Sequence, residues 1–490
     1  MTQHPLQQVP AILRERWNRP SGYGEVLALA GPLVLSTGTM TVQQFVNRMF
    51  LSWYSQDALA ASLPAGALSF TLLCFFIGTA SYANTFVAQY HGSKQPRRIA
   101  ASVWQAIYLS VGAGVLVIPF AFLSGPLFNL AGHATELREL ESVYFRILVF
   151  GGGFGILSSA VSSFFTGRGL TRTVMLVNVA ATLVNCVLDY GMIFGRLGMP
   201  EMGIAGAAWA SVIASAIGAA AFLWLFLFGD HAAEFGVWQA RGLDRDLMAR
   251  LLRFGTPSGL HFMLDILGWS LFILLVGRLG VTELGATNLA FQVNGIVFMP
   301  MIGFAVATST LVGQRLGENR PLLAARATWS AFQLTFVYMA FFSTLYVLVP
   351  LVFLLPFGAK ADPQEFAPLR DMAVIMLRFV ALYSLLDGIN LIFSAALKGA
   401  GDTLFVMVVS TTLSMGLMVV PTWLICRDGD GSVWAAWTAL TTFIMVLAFF
   451  FLWRFLQGKW KTMRVTESPH VPLNTTYPHA ETPVVDAEVL

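Results

Sequence analysis

Apolar residues run in long blocks rather than in alternation, and each block closes on a short polar or glycine-bearing turn before the next begins. The blocks are as long as the roughly 20 helical residues that cross a hydrocarbon core of about 30 Å. They predict spans near 26–52, 59–90, 99–124, 138–166, 173–195, 203–228, 250–278, 283–314, 322–350, 372–397, 403–426 and 432–456. The ends read differently. Residues 1–22 hold no apolar core, so they predict a short tail and no cleaved signal peptide. Residues 458–490, with Pro469, Pro472, Pro478 and Pro483, predict a disordered second tail. A polar stretch at 230–249 divides the spans into two sets of six, within 23–229 and 250–457.

Composition narrows the class. The chain is 56% hydrophobic and only 11% charged, against about a quarter charged in water-soluble proteins. The expected fold is therefore an all-α polytopic membrane protein of twelve transmembrane helices. Assigning both termini and the even-numbered loops to the cytoplasm places 20 of the 29 Lys and Arg there, including Lys94, Arg97, Arg98 and the run Arg241, Arg245, Arg250, Arg253. A bacterial inner membrane with both termini inside is the expectation, and the net charge of +3 needs no nucleic acid to explain it. Cys74, Cys186 and Cys426 form no CxxC, the seven histidines form no HExxH, and no GxxxxGK[ST] loop is present. No cofactor, resident metal or ATPase subunit is expected, and a monomer would suffice.

The chain repeats itself. Phe165-Thr-Gly-Arg-Gly-Leu-Thr171 is echoed by Leu397-Lys-Gly-Ala-Gly-Asp-Thr403, Gln89-Tyr-His-Gly92 by Gln314-Arg-Leu-Gly317, and Pro32 by Pro257. Six spans separate matching landmarks, so both copies enter the membrane in the same direction, as parallel repeats about an axis along the membrane normal. Such a pair leaves a cleft between two bundles.

Ionisable residues inside spans cost at least about 2.5–3.5 kcal/mol each on insertion scales. Asp265 in span 7 and Asp387 in span 10 fall at matching depths near mid-membrane. Together they can share a proton or ligate a hard cation. Tyr383, one turn before Asp387, can offer its hydroxyl or its ring face. His261, one turn before Asp265, suggests a proton relay. In the first half Asn47, Asn185 and Asp189, with Ser211 as a further oxygen, can form a second polar site; as an alternative, Asn and Ser merely glue helices together.

At these residues the chain resembles the multidrug and toxic compound extrusion family. The resemblance is carried by Asn185-Cys-Val-Leu-Asp-Tyr-Gly-Met-Ile-Phe-Gly195 with Gly203-Ile-Ala-Gly-Ala-Ala208, and by Gln292-Val-Asn-Gly-Ile-Val-Phe-Met-Pro300 through Gly313-Gln-Arg-Leu-Gly317. It implies two six-helix bundles forming a V around a central cavity, and export of organic cations in exchange for Na+ or H+. It also implies that Asp265, Asp387 and Tyr383 match a cation-coupling site, that Asn185, Asp189 and Ser211 match a first-bundle cation site, and that span 1 bends at Pro32. The chain departs from the family at Asn47, beside Arg48, where Asp is common. An amide carries no proton, which shifts the expected coupling to the second bundle.

Alternating access follows as the expected mechanism, with amphiphilic cations lying against the walls that 40 Phe and 19 Met supply. Two rivals remain. A flippase for lipid-linked saccharides would want more basic residues in the cleft than Arg48 and Arg378. An intramembrane protease would use Asp265 and Asp387 but has no need of two repeated bundles.

Overall fold

The computed structural model describes residues 14–131, 134–358, 363–427, 429 and 431–467, and among these every regular element is a helix. Twelve are long and apolar enough to cross a membrane. They are α1 (Tyr23–Tyr54), α2 (Gln56–Gly92), α3 (Pro96–Phe122), α4 (Thr135–Gly167), α5 (Thr171–Phe194), α6 (Gly203–Phe228), α7 (Arg245–Val276), α8 (Val281–Gly317), α9 (Pro321–Leu348), α10 (Phe366–Ala400), α11 (Thr403–Cys426) and α12 (Val433–Leu456). Helix is the form expected of such segments, because lipid offers no partner to a free backbone N–H or C=O.

The repeat appears in the backbone itself. Pro96 and Pro321 both open their helices at the first turn, where the missing N–H costs nothing. Just before them, Lys94 and Asn319 both take the left-handed conformation, with φ 55° and 56°. Gly92 and Gly317 pack reciprocally across the two halves. A Cβ on Gly92 would stand 2.0 Å from the Gln314 carbonyl oxygen, and one on Gly317 would stand 2.1 Å from that of Gln89.

The helices form two bundles, α1–α6 and α7–α12, with separate apolar cores and one that they share. Phe272, Val297 and Trp437 sit in a core of the second bundle, and Leu51, Phe145 and Ile204 in one of the first. The shared core joins Val26, Phe86 and Phe164 to Leu251, Leu311 and Val465. It lies where α1, α3, α7 and α9 begin and α2, α8 and α10 end, the side that holds both described chain ends. We call this the terminal side. Here Tyr82 donates to the Lys398 carbonyl at 2.8 Å, Gln89 to that of Gly399 at 3.1 Å and Gln314 to that of Gly167 at 2.8 Å. No cross-bundle hydrogen bond among the described residues lies farther out than that from Thr37 to the Met299 carbonyl, 3.2 Å, at the midpoint of α8. The bundles are thus closed on the terminal side and part toward the far side as a V.

Two segments outside the spans are more ordered than their sequence suggests. The 230–249 connection lies along α3, where the Trp104 indole and the Gln105 amide donate to the carbonyls of Val237 and Gly242 at 2.8 and 3.0 Å. The tail expected to be disordered from 458 is ordered through Glu467. Trp460 is buried and stacks on Phe455 at 4.7 Å. The Val465 N–H donates to Gln89 Oε1 at 2.9 Å, and Glu467 pairs with Arg98 and Arg250. Two apolar anchors among basic neighbours hold a segment that its flanking prolines make look free. Residues 1–13 and 468–490, the remainder of the expected tails, lie outside the described residues.

Candidate functional site

The second-bundle residues are set by three helices. α7 carries His261 and Asp265, α10 carries Tyr383 and Asp387, and α8 contributes Asn294, whose amide donates to the Tyr383 hydroxyl at 3.4 Å. Asn390 donates to Asp387 Oδ1 at 3.3 Å. Asp265 and Asp387 act on each other electrostatically, so the structure brings together the two carboxylates expected to work as a pair. Lys398, at the terminal end of α10, faces the same group and acts on both Asp265 and His261. The His261 ring pairs with Ser410 on α11 at 3.0 Å. No hydrogen bond from His261 to Asp265 occurs among the described residues, so the relay expected within α7 is not assembled as a direct contact. The hydroxyl of Ser384 and the amide oxygen of Asn294 are buried without a partner.

The first-bundle group differs in character. Asn185 and Asp189 are fully buried on α5, one turn apart, and all four of their side-chain polar atoms lack a hydrogen-bond partner among the described residues. Burying an unpartnered carboxylate is among the costliest arrangements a protein can hold. The Tyr144 hydroxyl of α4 feels the charge of Asp189 and is within hydrogen-bonding reach of Asn47. Asn47 and Ser211 open instead onto a neighbouring cavity of about 460 Å3 between α1, α2, α4 and α6, and Asp189 stands outside its wall. The four predicted residues are therefore neighbours in two compartments, with Tyr144 at the junction.

Pro32 lies inside α1, which runs as helix without interruption from Tyr23 to Tyr54. Its counterpart Pro257 lies inside α7, one turn before His261. Both remove a backbone donor from the helix ladder beside the cleft.

Tyr144, Asn294 and Lys398 escape the sequence reading. A tyrosine or asparagine in an apolar span carries little signal alone. Lys398 reads as a turn residue because it sits in the repeated glycine motif. Asking which polar residues lie at the depth of Asp265, Asp387 or Asp189 would have found Asn294 and Tyr144.

The MatE family model matches residues 32–191 and 257–424, one match in each bundle. The multidrug resistance protein NorM of Burkholderia vietnamiensis is 27% identical over 430 residues, covering 87% of this chain and 92% of that protein. A probable multidrug resistance protein NorM of Thermotoga maritima is 24% identical over 468 residues, covering 94% and 96%. Among solved structures, an outward-facing multidrug resistance MATE family transporter of the MOP superfamily superposes with a TM-score of 0.82 at 18% identity, covering 92% of this chain and 99% of that one. The protease alternative falls, because the matched family and these relatives are transporters. The chain belongs to the MatE family and is a membrane transporter of the multidrug efflux type, not an enzyme.

Proposed function

We propose that this protein is a secondary antiporter that exports amphiphilic organic cations in exchange for Na+ or H+ by alternating access. The observation that carries the reading is the Asn185–Asp189 pair, a buried carboxylate and amide that no group among the described residues satisfies. A carboxylate held this way needs a proton or a bound cation, and either one is a coupling ion. The Asp265–Asp387 pair on the other side of the cleft has the same need in milder form, because Asp387 has Asn390 as a donor. Both bundles thus carry an acidic group that ion binding neutralises. The sequence favours coupling in the second bundle; the unsatisfied atoms on α5 support an equal part for the first bundle.

In this reading the bacterial inner membrane holds the protein with its termini in the cytoplasm, so the closed terminal side is the inner side and the described state faces outward. The protein works as a monomer with no ATPase subunit. An ion entering the open cleft neutralises a carboxylate that holds an exported cation, which weakens the hold and releases the cation outward.

Purified protein in liposomes, loaded with a fluorescent organic cation, tests this. An inward sodium gradient or an inward proton gradient, imposed separately, should drive efflux. Efflux indifferent to both would overturn the antiporter reading, and the gradient that works names the ion.

A further inference from the structure

The first-bundle cavity has an unexpected polarity. Its volume of about 460 Å3 suits a small organic ligand. Its apolar side comes from Leu63, Phe70, Leu73, Ile77 and Leu148, and its polar side from Gln43, Gln44, Ser62, Ser69 and the Tyr144 hydroxyl. Arg48 is the one charged residue in the wall, and no Asp or Glu lines it. The Arg48 guanidinium makes no ion pair and no hydrogen bond among the described residues, and it acts electrostatically on Tyr144. Asp189, which acts on the same tyrosine, lies outside the wall.

A guanidinium is never neutral at working pH and presents a planar fork of donors that fits a carboxylate through two parallel hydrogen bonds. Exposed in the wall of this cavity beside neutral amides and hydroxyls, it repels the charge of a simple organic cation and attracts an anion. We propose that this cavity binds the carboxylate of an amphiphilic substrate against Arg48, so that the preferred cargo carries an anionic group together with its apolar body. The proposal rests on the exporter part of that reading alone and replaces its organic cation, at this cavity, with a carboxylate-bearing cargo. The Phe and Leu side takes the body, and the side-chain amides of Gln43 and Gln44 in the wall can donate to the second carboxylate oxygen.

The test is a binding experiment, so a failure of ion coupling leaves it intact. Purified full-length protein in phosphatidylcholine nanodiscs is titrated with dansylglycine, with its methyl ester and with the cationic dansylcadaverine, read by dansyl fluorescence. Dansylglycine should bind at least about tenfold more tightly than the ester, as a charge-assisted pair predicts. Arg48→Gln should erase that ratio by weakening the acid far more than the ester, and Arg48→Lys should restore part of it. Gly66→Leu gives a second arm: a Cβ there meets Tyr144 only at 3.7 Å, so the larger side chain is accommodated and fills the cavity, weakening acid and ester alike. Equal binding of acid and ester, preference for dansylcadaverine, or an unchanged ratio in Arg48→Gln would each overturn the proposal. Displacement of dansylglycine by nanodiscs containing phosphatidylglycerol would assign Arg48 to a lipid headgroup and likewise overturn it.

Discussion

Asp189 and Asp387 look alike in sequence, each an acid in an apolar run, yet they meet different company in the fold. Asp387 accepts from Asn390 and feels the charge of Asp265, whereas neither oxygen of Asp189 has a hydrogen-bond partner among the described residues. Conversion to Asn separates the two roles. Asp387→Asn and Asp189→Asn should each lower drug efflux from whole cells by at least about tenfold with normal membrane expression. Asp189→Asn should also abolish any rise in melting temperature that the coupling ion confers on the purified protein, because ligand binding stabilises only the state that holds the ion. Full efflux in either variant would remove that residue from the coupling scheme. The acids were legible because a charge in lipid is expensive wherever it falls. Their partners were not, because Tyr144, Asn294 and Lys398 belong to other helices or to a turn motif, and one-dimensional spacing does not bring them near.

At the scale of the helix, close packing between α2 and α7 rests on glycine. A Cβ on Gly259 would lie 2.2 Å from the Phe75 carbonyl oxygen, and one on Gly78 would lie 2.8 Å from the Gly259 Cα. No side chain fits there without moving a backbone. Gly416 of α11 has nothing within 4 Å of the same position. Gly259→Val should therefore insert normally but fail to close the terminal side, losing transport, whereas Gly416→Ala should transport like the parent. Efflux rates alongside membrane expression check both, and a functional Gly259→Val would show that the α2–α7 contact is dispensable. Spans and turns were readable from apolar blocks, since length and hydropathy set them. The glycine contacts were only half readable: Gly92 and Gly317 stand in a repeated motif, but Gly78 and Gly259 occur in unlike surroundings that nothing in sequence links.

For the whole molecule, the seam between bundles is reinforced at its rim by the last ordered residues. Glu467 joins Arg98 of the first bundle to Arg250 of the second, and also accepts from the Tyr90 hydroxyl at 3.1 Å. Because Glu467 is partly exposed, the contribution of these pairs is modest and falls with salt. Glu467→Gln should raise hydrogen–deuterium exchange in the peptides around Gln89 and Gln314 by a few fold, with little change in the far half of either bundle. Exchange unaltered at the seam would show that Val465 and the glycine contacts suffice.

The two chain ends are also exchanged across this seam. Ser21 accepts at its carbonyl from Ser330 at 3.0 Å, the Tyr23 hydroxyl donates to Gln333 at 2.5 Å, and Glu25 pairs with Arg315, so the start of the first bundle is fastened to the second. The closing residues, in turn, are fastened to the first through Gln89 and Arg98. During synthesis from the N-terminus, α1 emerges long before α8 and α9, and Gln89 waits for a partner 376 residues later in the chain. The first six helices must therefore survive in the bilayer as an unfinished half, and the floor of the cleft is the last part of the protein to be built.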